Sequence, residues 1–437
     1  MASYVDGGAI VATGTALVLY QSTLDLNEVA IGILSGLLTL FFALGAVVGG
    51  RFGDLFGRRR VFTVSLVLYA VGITALMLAV YPAMLYIGVV LTGIAIGADL
   101  PVSLALIAEE APEGMKGRLV AFSGFLWFIG IIVTSILTAI VGPLGDLGGR
   151  ILYAHLLVVA VVVLVLQLGL PESREWAAAQ RAKATGHDEI RFSDIPQMFA
   201  PPLLFTILAL GLYIGVWELT ANTFSQFGTF IWVNLAGGTV QGQALIGLGL
   251  LPIGIGAALI FMRIVDRPSR RHWFIIGTSC YIVAFAIPAV AGVNIPTLIA
   301  LQLLFSIGAS FSGTTIYKVW SQELVPTLLR STAQGLTIAF ARLVAALFAF
   351  LTPTLLMANS SLAFGLLFAF AVISAAIGLF WVPQLPRATE LEPTVAVFVP
   401  ESGPYRLHEE ARSGMDMDSS IEHESRNPTG DLAGRRS

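Results

Sequence analysis

The sequence predicts an all-α membrane protein with twelve transmembrane helices in two six-helix, pseudo-symmetric halves. Three observations predict it. The first is composition: of 437 residues, 56% are hydrophobic and 12% charged, and the mean hydropathy is +0.85, which does not describe a chain that folds in water. The second is length. Apolar runs of about 20 residues, enough to cross about 30 Å of hydrocarbon, recur as far as Val382. The third is duplication. Asp54 and Asp266, each followed by an arginine pair, stand 212 residues apart, and Glu109-x-x-Pro112-x-x-x-Lys116 and Glu323-x-x-Pro326-x-x-x-Arg330 stand 214 apart. Two motif pairs at nearly one offset indicate a six-plus-six repeat.

Taken in order, the spans are expected at 4–21, 29–49, 61–80, 84–108, 118–142, 151–170, 201–233, 241–263, 273–292, 296–322, 332–357 and 360–382. The connections 22–28, 81–83, 143–150, 235–240, 292–296 and 358–360 are short, and Arg150 is their only basic residue. The other side carries Arg51, Arg58, Arg59, Arg60, Lys116, Arg118, Arg263, Arg267, Arg270, Arg271 and Arg330, together with segment 171–200. The positive-inside rule therefore places that side and both termini in the cytoplasm of a multi-pass cell-membrane protein. Residues 1–170 and 201–386 are expected to form the halves. A charged central loop spans 171–200, and a polar, disordered cytoplasmic tail spans 387–437. The single cysteine, Cys280, excludes an internal disulfide and a multi-cysteine metal site. No basic leader precedes the first apolar run, so the first helix is expected to be retained.

Ionisable side chains inside spans cost about 2.5–3.5 kcal/mol each on insertion scales, which makes Asp6, Asp99, Glu218, Lys318 and Arg342 functional candidates. Asp99 either handles a proton or caps a neighbouring helix. Asp6 stands near the start of the chain, so either helix one is short at its cytoplasmic end or the true start lies upstream. In helix seven, Glu218, Asn222, Ser225, Gln226 and Thr229 recur every three or four residues and share one face. That stripe serves substrate contact or inter-helix hydrogen bonding. Helix ten offers Ser306, Ser310, Thr314, Tyr317 and Lys318, with Trp320 read as an anchor or packing residue. Lys318 and Arg342 either hold an anionic solute or pair with Glu218 or Asp99.

Gly49 to Arg60 forms a glycine-rich basic loop that resembles the G-x-x-x-D-x-x-G-R-R signature between helices two and three of the major facilitator superfamily. Met262 to Arg271 resembles its counterpart between helices eight and nine. The resemblance implies the major facilitator fold and alternating access. It also implies a cytoplasmic gate of Gly50, Asp54, Gly57, Arg58 and Arg59 with Glu109, Arg118 and Glu172, mirrored by Asp266, Arg270, Glu323 and Arg330. Pro171-Glu172-Ser173-Arg174-Glu175-Trp176 resembles the P-E-S-x-R-[WY] signature of sugar porters, with the Arg one place early. Asp6-Gly7-Gly8-Ala9-Ile10 resembles the helix-one run of their proton-coupled members. Gly93 to Pro101 resembles the G-x-G-x-D-x-P stretch of proton-coupled phosphate and organic-metabolite symporters, with Ala95 in place of the first Gly. These resemblances imply proton coupling at Asp99, with Asp6 second, and a substrate site drawing on Glu218, Asn222, Gln226, Tyr317, Lys318 and Arg342. Three departures accompany them. Lys318 stands where sugar porters place a Trp, their helix-seven Q-x-x-G-x-N pattern is absent, and Val89 replaces a helix-four Arg.

The expected function is a secondary active transporter, a proton-coupled symporter of a sugar or polyol. An organic acid or other anionic metabolite is the alternative, followed by drug-type efflux and then by a non-transporting membrane sensor. Walker, H-E-x-x-H and nucleophile-elbow motifs are absent, so no enzyme, cofactor or metal is expected. The expected partners are a small polar solute, protons and the lipid bilayer. No nucleic acid is expected, and the protein is expected to be a monomer.

Overall fold

The computed structural model describes residues 2–112, 115–169, 172, 201, 203–325 and 330–388, and every regular element among them is helical. The helices are α1 (Ala2–Leu19), α2 (Glu28–Phe56), α3 (Arg58–Met77), α4 (Pro82–Glu110), α5 (Lys116–Val141), α6 (Asp146–Gln167) and α7 (Leu203–Phe230). They continue with α8 (Val240–Ile264), α9 (Arg270–Ala291), α10 (Ile295–Phe311), α11 (Thr314–Leu324), α12 (Arg330–Ala358) and α13 (Ser360–Ala376). Eleven helical segments among the described residues are long and apolar enough to cross a membrane, and α1 is a slightly shorter apolar helix. In hydrocarbon an α-helix satisfies its own backbone polar groups, which is why the apolar runs take this form.

The helix ends have local causes. At the end with short, nearly uncharged connections, here termed the neutral end, the side chains of Asn27, Thr239, Asn294 and Asn359 accept backbone N–H groups of the first turns of α2, α8, α10 and α13. Arg150, the lone basic residue there, donates to Met77 O, Ala79 O and Asp146 Oδ2. It thereby closes the carbonyl end of α3. The opposite end carries the arginines and is termed the basic end.

Two elements depart from the expected boundaries. Helix two does not stop at residue 49: α2 continues to Phe56, so most of the expected basic loop is helical. The joint is Gly57 alone, at φ +105°, a conformation L side chains rarely adopt. The expected single span 296–322 is divided at Ser312 and Gly313 into α10 and α11. Gly313, at φ +69°, donates its N–H to Tyr213 Oη at 2.8 Å, and a Cβ there would lie 2.2 Å from the Trp217 ring. Both breaks depend on contacts distant in sequence. The expected central loop lies outside the described residues apart from Glu172, and the expected tail apart from 387 and 388.

Contacts gather the helices into two sets. In α1–α6, α4 lies between α2 and α3, and α1 packs on α5 and α6; in α7–α13, α7 packs on α12 and α13, and α9 on α10 and α13. Glycines allow the closest approaches. A Cβ on Gly97 would lie 2.1 Å from Phe42 O, and one on Gly49 2.3 Å from the Cα of Ala98, so α2 and α4 touch through backbone. A Cβ on Gly130 would lie 2.0 Å from Tyr4 O, and one on Gly7 2.4 Å from Trp127 O, which seats α1 on α5.

Between the sets, α2 meets α12, α1 meets α7, and α5 meets α8. The closest backbone approaches between the sets lie toward the neutral end, and Arg342 of α12 meets Phe42 of α2 nearer the middle. A Cβ on Gly14 would meet Gln226 O at 2.6 Å, and one on Gly32 would meet Phe350 O at 2.6 Å. The hydroxyls of Thr15 and Thr229 are 3.4 Å apart, and Asn234 donates to Gln21 Oε1 at 3.0 Å.

Candidate functional site

Asp6 of α1 and Asp99 of α4 line one small cavity with Ser65 and Tyr69 of α3 and Ala95 of α4. The carboxyls are 6% and 4% exposed, so they are sealed from water in this arrangement. Beside them, Gly7 seats α1 on α5 and Gly97 seats α4 on α2. Pro101 adds a local feature, because it has no N–H to return to the carbonyl of Gly97 one turn earlier. Neither carboxylate oxygen of Asp99 makes a hydrogen bond of ordinary geometry, although Asp6 is near enough to act on it electrostatically. Among the described residues, no lysine or arginine lines the cavity. Two ionised carboxylates placed this way repel and are poorly solvated; one bound proton removes the repulsion and the burial cost of the carboxyl that takes it.

A second cluster lies near the middle of α7 and α12. Arg342 Nη1 is 3.3 Å from Glu218 Oε2, with the two side chains 30% and 9% exposed. The guanidinium also lies over the ring of Phe42 in α2, 5.3 Å from its centroid. One turn along α7, Asn222 donates to Gln226 Oε1 at 3.2 Å. Gln226 itself reaches the other half: its Nε2 donates to Ser35 O at 3.1 Å, and Thr39 Oγ1 donates to its Oε1 at 3.3 Å. The structure thus joins Glu218 to Arg342 and Asn222 to Gln226, and commits Gln226 to an inter-helix bond. Tyr317 is 1% exposed and bonded to Thr337, so it packs between α11 and α12. Lys318 is exposed and has no ion-pair partner among the described residues. Trp320 is buried edge-to-face against Tyr213 and Phe274, a packing role.

At the basic end, Glu172 Oε1 accepts the backbone N–H of Arg59 at 2.9 Å, placing a negative charge at the first turn of α3. The Arg59 guanidinium donates to Leu168 O at 2.6 Å. Gly57 is confined by this arrangement, since a Cβ there would lie 2.5 Å from Glu172 Oε2. Arg58 lies against Gly53, its Nη1 3.1 Å from where a Cβ of Gly53 would stand, and Gly50 faces Pro101. In the other half Arg270 grips Glu323 through both nitrogens, at 2.6 and 2.9 Å. Asp266 is exposed and outside that pair. The side chains of Asp54, Glu109, Arg118 and Arg330 lie outside the described residues. The described contacts of this end, Glu172 with Arg59 and Arg270 with Glu323, each stay within one half. Replacing Gly57 with Ala is expected to cost about 1–3 kcal/mol from the strained backbone alone, more as Glu172 is displaced. The expected result is a lower melting temperature in detergent, and an unchanged one would show that this joint is relaxed.

His155, an ionisable residue inside the apolar run of α6, is a further polar group that the charge pattern alone does not single out. Its Nδ1 is 2.8 Å from Leu152 O and its Nε2 is 3.4 Å from Tyr4 Oη. Phe42 also escaped notice, since nothing in an apolar helix marks one aromatic ring as the partner of a cation 300 residues later.

The family described as Major Facilitator Superfamily matches residues 2–267, and the family described as Sugar (and other) transporter matches residues 204–391. Among curated relatives, the minor myo-inositol transporter IolF of Bacillus subtilis (strain 168) is 31% identical over 363 residues, covering 82% of each chain. The inner membrane metabolite transport protein YgcS of Escherichia coli (strain K12) is 24% identical, covering 81% of this chain and 83% of its own. Among solved structures, the inward open conformation of the xylose transporter XylE from E. coli superposes with a TM-score of 0.70 at 17% identity, covering 90% of this chain and 98% of its own. That likeness establishes a shared fold.

Proposed function

Because the chain belongs to the Major Facilitator Superfamily and is a multi-pass membrane transporter rather than an enzyme, we propose that it is a proton-coupled symporter of a sugar or polyol, working as a monomer by alternating access. The observation that carries this reading is the sealed carboxyl pair Asp6 and Asp99, a site that loses two electrostatic penalties on taking up one proton. Charge balance supports a neutral solute. Arg342 is already met by Glu218, so the middle of the bundle presents a compensated pair and amides of the kind that hydrogen-bond hydroxyl groups. The identity to a myo-inositol transporter points to the same solute class. With the arginine-bearing end and both termini cytoplasmic, contact between the halves toward the neutral end corresponds to the inward-facing state. The gate residues Asp54, Glu109, Arg118 and Arg330, with Asp266, would then meet across the halves when the cytoplasmic end closes.

The test is uptake of myo-inositol into proteoliposomes under an inward proton gradient. Accumulation above equilibrium, abolished by a protonophore, is expected. Absence of both accumulation and exchange for myo-inositol, xylose and glucose, with uptake of an organic acid instead, overturns the proposal in favour of an anion symporter. Lys318, exposed and without an ion-pair partner among the described residues, is the observation that favours that second reading.

A further inference from the structure

Phe42 contacts Arg342 of the second cluster with its ring, and with its backbone it contacts α4, the helix that carries Asp99 of the first. Its backbone carbonyl lies in the notch left by Gly97, where a Cβ would be 2.1 Å away, and Gly97 is two residues before Asp99 on α4. Its ring centroid, 5.3 Å from the Arg342 guanidinium carbon, bears on the cation that Glu218 also holds. The two contacts of Arg342 differ in kind. Glu218 and Arg342 belong to the same half, on α7 and α12, so their ion pair moves as a unit when the halves rock. Phe42 and Arg342 belong to opposite halves, and their contact breaks whenever α2 and α12 separate at this level. A displacement of α4 against α2, of the sort that follows when the Asp6 and Asp99 carboxyls repel or cease to repel, shifts the seat of Phe42 directly because there is no side chain between the two backbones. Phe42 and Arg342 are both half-buried, and because they sit on opposite halves the ring is on the cation or released as α2 and α12 meet or part, a choice that a shift of α4 against α2 also biases.

We propose that Phe42 is a positioning residue that couples the state of the Asp6 and Asp99 carboxyls to Arg342, and through it to closure of the two halves. The proposal rests on the proton-coupled reading given above. An aromatic face is required: a cation is attracted to the ring quadrupole and not to an aliphatic side chain of similar size. Phe42→Leu is therefore expected to keep packing and lose coupling, whereas Phe42→Tyr keeps both.

The experiment compares wild type, Phe42→Leu and Phe42→Tyr in proteoliposomes, with myo-inositol as the probe and two readouts: accumulation driven by a proton gradient, and counterflow exchange with none. For Phe42→Leu the expected result is loss of accumulation by about tenfold with exchange within about threefold of wild type, and for Phe42→Tyr recovery to within about twofold, the scale set by one cation–π contact. Equal loss of exchange and accumulation in Phe42→Leu assigns the ring to packing alone and overturns the proposal. So does wild-type accumulation in Phe42→Leu. Wild type that exchanges myo-inositol but never accumulates it overturns the proton-coupled reading first, and the role of Phe42 falls with it.

Discussion

Under the proposed proton coupling, replacement of Asp99 by Asn is expected to abolish accumulation and leave a transporter that only equilibrates its solute. A proton gradient of one pH unit is worth about 1.4 kcal/mol per proton, enough to hold a solute about tenfold above equilibrium at one proton per cycle. Asn fills nearly the volume of Asp and lacks the exchangeable acid, and both Asp99 oxygens are buried without ordinary hydrogen bonds, so no structural bond is lost on substitution. The accumulation ratio should fall to about one, while exchange continues. Repulsion from Asp6 also disappears, which should make the variant at least as stable as wild type in detergent. Retained accumulation in Asp99→Asn would remove Asp99 from the mechanism and shift attention to Asp6, whose own Asn variant is the control.

Replacement of Arg342 by Met has the second large effect, and it is one of stability as well as transport. Glu218, 9% exposed on its side chain, loses its cationic partner and is left charged among apolar helices. Removing one member of a fully buried pair costs about 3–5 kcal/mol, and because Arg342 is 30% exposed the expected cost is smaller, about 2–3 kcal/mol. The double variant Glu218→Gln with Arg342→Met should recover most of the lost stability, since no uncompensated charge remains. It should not recover coupled transport. A single variant that melts at the wild-type temperature would show that water already solvates Glu218. In the opposite direction, Glu218→Gln alone leaves a free guanidinium facing Phe42 and should move selectivity toward solutes bearing a carboxylate, read by competition of organic acids against myo-inositol uptake.

How much of this was legible beforehand depended on range. Asp6, Asp99, Glu218 and Arg342 declared themselves because a charge within an apolar run is costly wherever it lies. Their grouping did not. That Asp6 shares a cavity with Asp99 follows from α1 meeting α4, and that Arg342 meets Glu218, rather than Asp99, follows from α7 packing on α12. The helix-seven stripe left two roles open. Gln226 proved to bridge to Ser35 and Thr39, which no periodicity within α7 could have shown. Tyr317 and Lys318 are adjacent in sequence yet divide, one buried against Thr337 and one exposed, because consecutive positions on a helix point about 100° apart.

The sequence by itself determined the solvent, the helical class, the approximate placing of the spans and the superfamily, since each of these is written in composition, run length and motif spacing over short stretches of chain. It also marked Gly57 and the glycines of α4. Only the tertiary structure decided what those glycines are for: Gly57 as the single joint of a helix that continues past its expected end, Gly97 as the notch that receives Phe42 O, Gly313 as the break held by Tyr213 and Trp217. A glycine records that something must come close, and what comes close is supplied by residues tens or hundreds of positions away, whose meeting is fixed by helix packing rather than by local sequence.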